Sequence, residues 1–244
     1  MKTLIIIPSR LSASRLPGKP LLKINGLSII SHVFKRAEKA NIGEVLVATE
    51  DQEIVEDVKK NGGQAILTSK SPQTGTDRIY EALEKIDSSN IDFVMNLQGD
   101  EPLMDVDDIK YLNKKMINNN AEFGTLGSKI LKKEFYENKN IVKVITNKIL
   151  NDSNFLEAID FTRSISKQSE NIYHHLGIYC YRKETLKNFV SFNQTSNEIK
   201  HSLEQLRALD NNIKINVGLA KATPIGVDTE EDLVAIKKIM EYKS

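Results

Sequence analysis

In the first half of the chain, short aliphatic and β-branched runs alternate with segments whose apolar positions recur every three or four residues. The runs TLIIIP, EVLVAT, QAIL and DFVMNLQ are apolar almost throughout, as strands buried on both faces are, and predict a parallel sheet. Between them, LSIISHVFKRAEKA, DQEIVEDVKKNG and GTDRIYEALEKI have helical spacing, and Gly62 and Gly63 stop the second. Strand and helix in alternation predict an α/β sheet with right-handed crossovers. After about residue 120 the pattern changes. FGTLGSKI, NIVKVIT, FLEAIDFTR and IYHHLGIYCYR read as strands with few helices between them, so a mixed or antiparallel extension is expected. A helix, NEIKHSLEQLRALD, and a strand, KINVGLA, follow. The chain closes on VDTEEDLVAIKKIMEY, where Asp228 and Thr229 open a helix with an acidic first turn.

Composition narrows the class. The 244 residues carry a formal net charge of +1 and are 40% hydrophobic, enough for one large domain with a real core. A near-neutral chain lacks the basic face that nucleic acid or a membrane surface would need, so neither partner is expected. The lone Cys180 excludes an internal disulfide framework and fits a reducing compartment. The opening MKTLIIIPSR has an apolar run of four residues before Pro8, too short for a signal-peptide core or a bilayer span. A cytoplasmic protein is expected.

In open α/β sheets, ligands bind beyond the carboxyl ends of the strands, so the loops there come first. After the first run, IPSRLSASRLPGKP gathers Arg10, Arg15 and Lys19 around Gly18, Pro17 and Pro20. Guanidinium forks and an ammonium on a shaped loop suit a polyphosphate; a solvated basic loop is the bland alternative. The segment is no Walker A motif, because Ala13 and Pro20 stand where a glycine and a Ser/Thr are needed, and no G-x-G-x-x-G is present. After the fourth run, NLQGDEP sets Asp100 in a turn, well placed for Mg²⁺, a hard cation taking one or two carboxylates plus phosphate oxygens; an ordinary turn aspartate is the bland alternative. Asp228, after another turn, is a second candidate carboxylate, or simply the N-cap of the last helix. The run DVDD at 105–108 looks like a metal motif but reads as the acidic start of a helix after Pro102.

In order and separation, IPSRLSASRLPGKPLLKING, VATEDQEI, TSKSPQTGTDRI, NLQGDEPL, HHLGIYCYR, LEQLRAL and GVDTEEDL resemble the blocks of the cytidylyltransferases that activate 3-deoxy-manno-octulosonate (Kdo). The resemblance runs from residue 7 to residue 233, and RLPGKP together with QGDEP is its most specific part. It implies a mixed, mostly parallel nucleotide-binding sheet flanked by helices, like that of nucleotide-diphospho-sugar transferases. It also implies a smaller mixed β subdomain for dimerisation at roughly 120–215 of a single 1–244 domain. The implied reaction is CTP plus Kdo giving CMP-Kdo and diphosphate, with Mg²⁺, for lipopolysaccharide synthesis by a homodimer. By position, the resemblance implies that Arg10, Arg15 and Lys19 grip the CTP phosphates and that Asp100 and Asp228 hold Mg²⁺. Gly75, Thr76 and Arg78 would lie by the cytosine, while Gln98, Arg163, His175, Glu204 and Gln205 would face the sugar acid.

Strand parity adds a reading of the two histidines. His174, Leu176, Ile178 and Cys180 share one face, which reads as core, and His175, Gly177 and Tyr179 share the other, where the glycine leaves room for a ligand. In NEIKHSLEQLRALD, Ile199, Leu203, Leu206 and Leu209 form the expected packing stripe, and His201, Glu204 and Gln205 a separate polar one. Four histidines and one cysteine without ligand-pair spacing do not suggest zinc. Around Arg163 the sequence departs from the family, with Asp160 where an aromatic is usual and no proline after the arginine. Another ulosonic acid, such as 8-amino-Kdo or a sialic-type acid, therefore stays open beside Kdo. A different nucleotidyltransferase, a metal-dependent glycosyltransferase or a non-catalytic nucleotide-binding module are the competing classes.

Overall fold

A computed structural model describes residues 1–12, 16–165, 168–223 and 225–241. Its chain divides into two compact units, Met1–Lys110 with Pro224–Ser244, and Tyr111–Thr223.

In the first unit the aliphatic runs become parallel strands, and the sheet order is β5-β4-β1-β6. Strand β1 (Thr3–Ser9) leads through a 3-10 turn, Lys19–Leu21, and a small hairpin, β2 (Lys23–Ile24) and β3 (Leu27–Ser28), into α1 (Ile29–Ala40). Then follow β4 (Gly43–Thr49), α2 (Gln52–Lys60), β5 (Ala65–Leu67), α3 (Gly75–Glu84) and β6 (Phe93–Leu97). Every residue of β1 and β6 is buried, as the absence of alternation in their sequences predicts. Helix α4 (Val106–Asn118) is opened by Asp105, whose Oδ1 accepts from the amides of Asp107 and Asp108. The DVDD run is thus a helix cap.

The second unit is mixed. Its strands are β7 (Phe123–Lys129), β8 (Lys143–Thr146), β9 (Leu156–Thr162), β10 (Ile172–Arg182) and β11 (Asn216–Leu219). They pair in the order β10-β7-β11-β9-β8, and β8 pairs again with β10, so the ring of pairings closes. Only β7–β11 is parallel. This unit takes in the 120–215 span expected to form a mixed β subdomain.

Its helices differ from expectation. A turn, α5 (Glu134–Glu137), and α6 (Lys183–Ser191) are both present; α6 starts directly on the end of β10 and buries Leu186 and Phe189. The single helix expected over NEIKHSLEQLRALD is broken into α7 (Ser196–His201) and α8 (Leu206–Asp210) by Ser202, which adopts a left-handed conformation with φ 51°. The break rotates the stripe, and Ile199, expected to pack, is 63% exposed. The last helix, α9 (Glu230–Glu241), returns to the first unit, where Leu233 and Ile236 pack with Val227, Ile24 and Ile29. Among the described residues no helix is long and apolar enough to cross a membrane.

Candidate active site

The first unit carries a cleft of about 360 Å³ at the carboxyl ends of its strands. Its lining comes from the loop after β1 (Ser9, Arg10, Ser12, Leu16, Lys19), the segment before α3 (Pro72 to Gly75), the turn after β6 (Gln98, Gly99, Asp100), and Asp228.

Local packing explains why these segments converge. Leu16 and Leu22, on either side of Lys19, pack against the cluster built from Ile24, Ile29, Val227, Leu233 and Ile236. Full burial of such a side chain is worth roughly 1.5–3 kcal/mol, and the partly buried Leu16 and Leu22 contribute a share of that. The Val227 amide donates to the Asp100 carbonyl at 2.8 Å, so the segment carrying Asp228 is stitched to the turn carrying Asp100. Gly99 allows that turn to pass over β1: a Cβ there would stand 2.9 Å from the Pro8 carbonyl oxygen. At the other edge, the Leu11 amide donates to Asp51 Oδ2 at 2.7 Å and the Gly18 amide to the Leu11 carbonyl at 3.2 Å. Gly18, with a φ of 67°, turns the chain into the 3-10 segment, where Pro20 sits at the start and Lys19 points to the cleft.

At the centre is one ammonium between two carboxylates. Lys19 Nζ lies 2.7 Å from Asp100 Oδ2 and 3.5 Å from Asp228 Oδ1. The Lys19 side chain is 13% exposed, whereas those of Asp100 and Asp228 are 34% and 48% exposed, so both acids keep a face toward solvent. The alternative role of Asp228 as a helix cap is filled by its neighbours. Thr229 Oγ1 accepts from the Asp232 amide, and the Asp232 carboxylate accepts from the amides of Thr229 and Asp228. Asp228 can therefore direct its carboxylate at Lys19 without giving up a cap. Two carboxylates converging on one cation suit a divalent ion that completes its shell with substrate oxygens; among the described residues no cluster of three His, Cys, Asp or Glu offers an all-protein cage.

The remaining first-unit residues fall as follows. Arg10 is exposed and lines the cleft, and Arg15 lies outside the described residues. Gly75 lines the cleft at the N-terminus of α3, where Thr74 and Asp77 form a capping box. Thr76 was expected beside the base but is 1% exposed and absent from the cleft wall, because the second residue of α3 turns toward the sheet. Arg78 lines the cleft from beneath: its guanidinium is engaged by Thr68 Oγ1, the Ser69 carbonyl and the Glu50 carboxylate. Sequence reasoning missed Glu50 and also Ser9, whose buried hydroxyl reaches the cleft without a hydrogen-bond partner among the described residues. Position at a strand end was the one available signal for both.

The second unit holds the other expected residues. His175 lies on β10. Parity along β10 is as expected, but the face that Gly177 was to leave open is filled. Phe161 meets the His175 ring edge-on with centroids 5.1 Å apart, and Tyr179 packs at 5.3 Å. Thr125 Oγ1 donates its proton to the Ile178 carbonyl and so accepts from His175 Nε2 at 3.0 Å. Burial, with the neighbouring His174 adding to it, pushes the His175 pKa down to about 3. His175 is 8% exposed; the half-buried His174 has Nδ1 enclosed without a hydrogen-bond partner among the described residues. Arg163 is half-buried and donates to the carbonyls of Lys139, His201 and Ser202. Gln205 is 5% exposed and Glu204 half-buried, so neither belongs to an open helical stripe.

A parallel sheet with cations and carboxylates gathered at its strand ends suits a nucleotidyltransferase. The family model for cytidylyltransferases matches residues 4–215. A 3-deoxy-manno-octulosonate cytidylyltransferase from Afipia carboxidovorans is 42% identical over 240 residues, covering 98% of this chain and 96% of that one. One from Bartonella tribocorum is 39% identical, covering 98% and 99%. Among solved structures, a CMP:2-keto-3-deoxy-manno-octonic acid synthetase complexed with CTP superposes with a TM-score of 0.89 at 36% identity over the full length of both chains. A 4-diphosphocytidyl-2C-methyl-D-erythritol synthase from Anaerococcus prevotii, 14% identical with a TM-score of 0.64 over 98% of each chain, shares the fold alone. The chain belongs to the 3-deoxy-manno-octulosonate cytidylyltransferases of the cytidylyltransferase family.

Proposed function

We propose that this chain transfers CMP from CTP to the anomeric 2-hydroxyl of Kdo, releasing diphosphate. The observation that carries the reading is Lys19 held between Asp100 and Asp228 on the wall of the cleft, in a chain so similar to enzymes of that name. The 2-hydroxyl oxygen forms a bond to the α-phosphorus as the bond to the β-phosphate oxygen breaks, and the hydroxyl proton passes to solvent. Such transfers depend on positioning and charge neutralisation more than on covalent help from the protein. Arg10 and Lys19 neutralise the triphosphate, with Arg15 expected beside them. Asp100 and Asp228 would hold Mg²⁺, which when bound neutralises phosphate charge and orients the leaving group. Gln98, Arg163, Glu204 and Gln205 are proposed to recognise the sugar acid; His175 is neutral and packed against Phe161 and Tyr179.

We place the product in lipopolysaccharide precursor supply in the cytoplasm, made by a homodimer; light scattering checks the dimer. Purified chain with Mg²⁺, CTP and a panel of ulosonic acids, followed by diphosphate release, tests the substrate. Turnover with Kdo and CTP is expected, and preference for UTP or GTP would overturn the reading. Asp160 favours including 8-amino-Kdo in the panel, since an exposed carboxylate where an aromatic is usual would attract an ammonium. Silence with Kdo and turnover with that analogue would transfer the assignment to it.

A further inference from the structure

Strand β8 begins with a lysine that is fully buried. Lys143 Nζ donates to the carbonyls of Asn138 at 2.7 Å and Arg163 at 3.0 Å. Arg163 in turn spreads its guanidinium over the carbonyls of Lys139, His201 and Ser202 at 3.2 to 3.3 Å. Two cations thus hold three separate stretches of backbone, 138–139, 163 and 201–202, through carbonyl dipoles alone. Among the described residues no carboxylate pairs with either cation. Burial, and then the Arg163 charge, push the Lys143 pKa down.

Stability gives no reason for this arrangement. A buried ammonium without a counter-ion is costly, and an apolar side chain of similar volume commonly packs as well or better. What the lysine adds is direction. It fixes the main chain at Arg163, and the guanidinium fixes the left-handed turn at Ser202 that leads into Glu204 and Gln205. We propose that Lys143 is a positioning residue for the sugar-acid wall, acting through Arg163 on the turn that presents Glu204 and Gln205. The inference rests on the cytidylyltransferase reading above, which places the sugar acid at those residues.

Lys143→Met removes the donor at nearly constant volume. With the ulosonic acid the wild type uses, its KM for that acid should rise about 10-fold to 100-fold, the effect of losing hydrogen bonds from a charged group. The KM for CTP should stay within about twofold, since each tenfold is already a full hydrogen-bond's worth. Hydrogen–deuterium exchange, which needs no turnover, should quicken in 138–142 and 199–206 and not in 1–110. Equal rises in both KM values, a fall in kcat alone, or unchanged exchange in those segments would overturn the proposal. If Lys143→Met does not fold, Lys143→Gln, which keeps a shorter, uncharged donor, should show the same KM split at a smaller size; failure of both to fold would make Lys143 a fold determinant and overturn the selective role. Wild-type silence with every ulosonic acid would sink the parent reading, whereas wild-type turnover with no KM split in the variant would sink only this inference.

Discussion

Each unit has a cation–carboxylate assembly of its own, and the two differ in what they leave open. In the second unit, Arg207 meets Glu198 through two hydrogen bonds of 2.8 and 2.6 Å, with both side chains 3% exposed and the guanidinium 5.0 Å over the Phe189 ring. Burial alone would raise the Glu198 pKa, but the bonds from Arg207 and its neighbours hold it below the ordinary value. In the first unit, Lys19 makes one short and one long contact to acids that are a third and a half exposed. The Arg207–Glu198 pair is closed and stabilises the fold. The Lys19 assembly keeps open faces, so that in the proposed reaction phosphate would take over the ammonium and a metal ion the carboxylates. Burial of the partners, more than their charge, separates a structural pair from a site.

That contrast breaks most sharply at Arg207. Arg207→Met strands a buried carboxylate and should cost about 3–5 kcal/mol, a Tm fall of roughly 6–20 °C, with the KM for CTP unchanged in the folded fraction. Calorimetry and initial rates check it; a loss under about 1 kcal/mol would mean that the pair is not structural. Lys19→Met should show the reverse. Diphosphate release should fall by on the order of 10²–10³, as for the loss of one preorganised donor to developing charge, with little change in Tm. Full activity in that variant would remove the lysine from the mechanism.

The two histidines of β10 sharpen the contrast by pH. Burial pushes His174 down to about 4, with Lys143 adding to the shift, and His175 to about 3, against 6.5 for the free side chain. Below about pH 6.5 the unfolded chain binds protons that the folded chain refuses. Stability should therefore fall with pH from there toward 4 and 3, at up to about 1.4 kcal/mol per pH unit for each ring, and show no such term above 6.5. Urea melts at pH 7 and 5 read the slope, and NMR titration assigns it. A His175 ring titrating near 6.5 in the folded protein would show that its face is open after all.

The sequence made the first unit legible because its information is local: unbroken aliphatic runs, helix stops and charged loops at strand ends need no knowledge of distant residues. The second unit hides its organisation in tertiary choices. Nothing in HSLEQL announces that Ser202 will turn left-handed, and nothing in KETLKNFV distinguishes α6 from a loop until Leu186 and Phe189 find the core. The His175 face followed strand alternation correctly, but what covers it, Phe161 and Tyr179, comes from β9 and from beyond a register shift in β10. Lys143 was one more lysine in a strand-like run; only the carbonyls of Asn138 and Arg163 give it a role.

The smallest predicted effect separates two adjacent residues that the sequence could not. Asp228 and Thr229 both suit an N-cap, and the structure gives the cap to Thr229 with Asp232 in reciprocal support. Thr229→Ala should therefore cost about 1 kcal/mol of stability and leave turnover intact. Asp228→Asn should do the opposite: the melting curve stays where it was, while the magnesium concentration needed for half-maximal rate rises. Measuring both variants by thermal melt and by rate against Mg²⁺ gives four numbers with a crossed pattern. If instead Asp228→Asn lowers Tm and leaves the magnesium dependence alone, its carboxylate is a cap, and the metal site is reduced to Asp100.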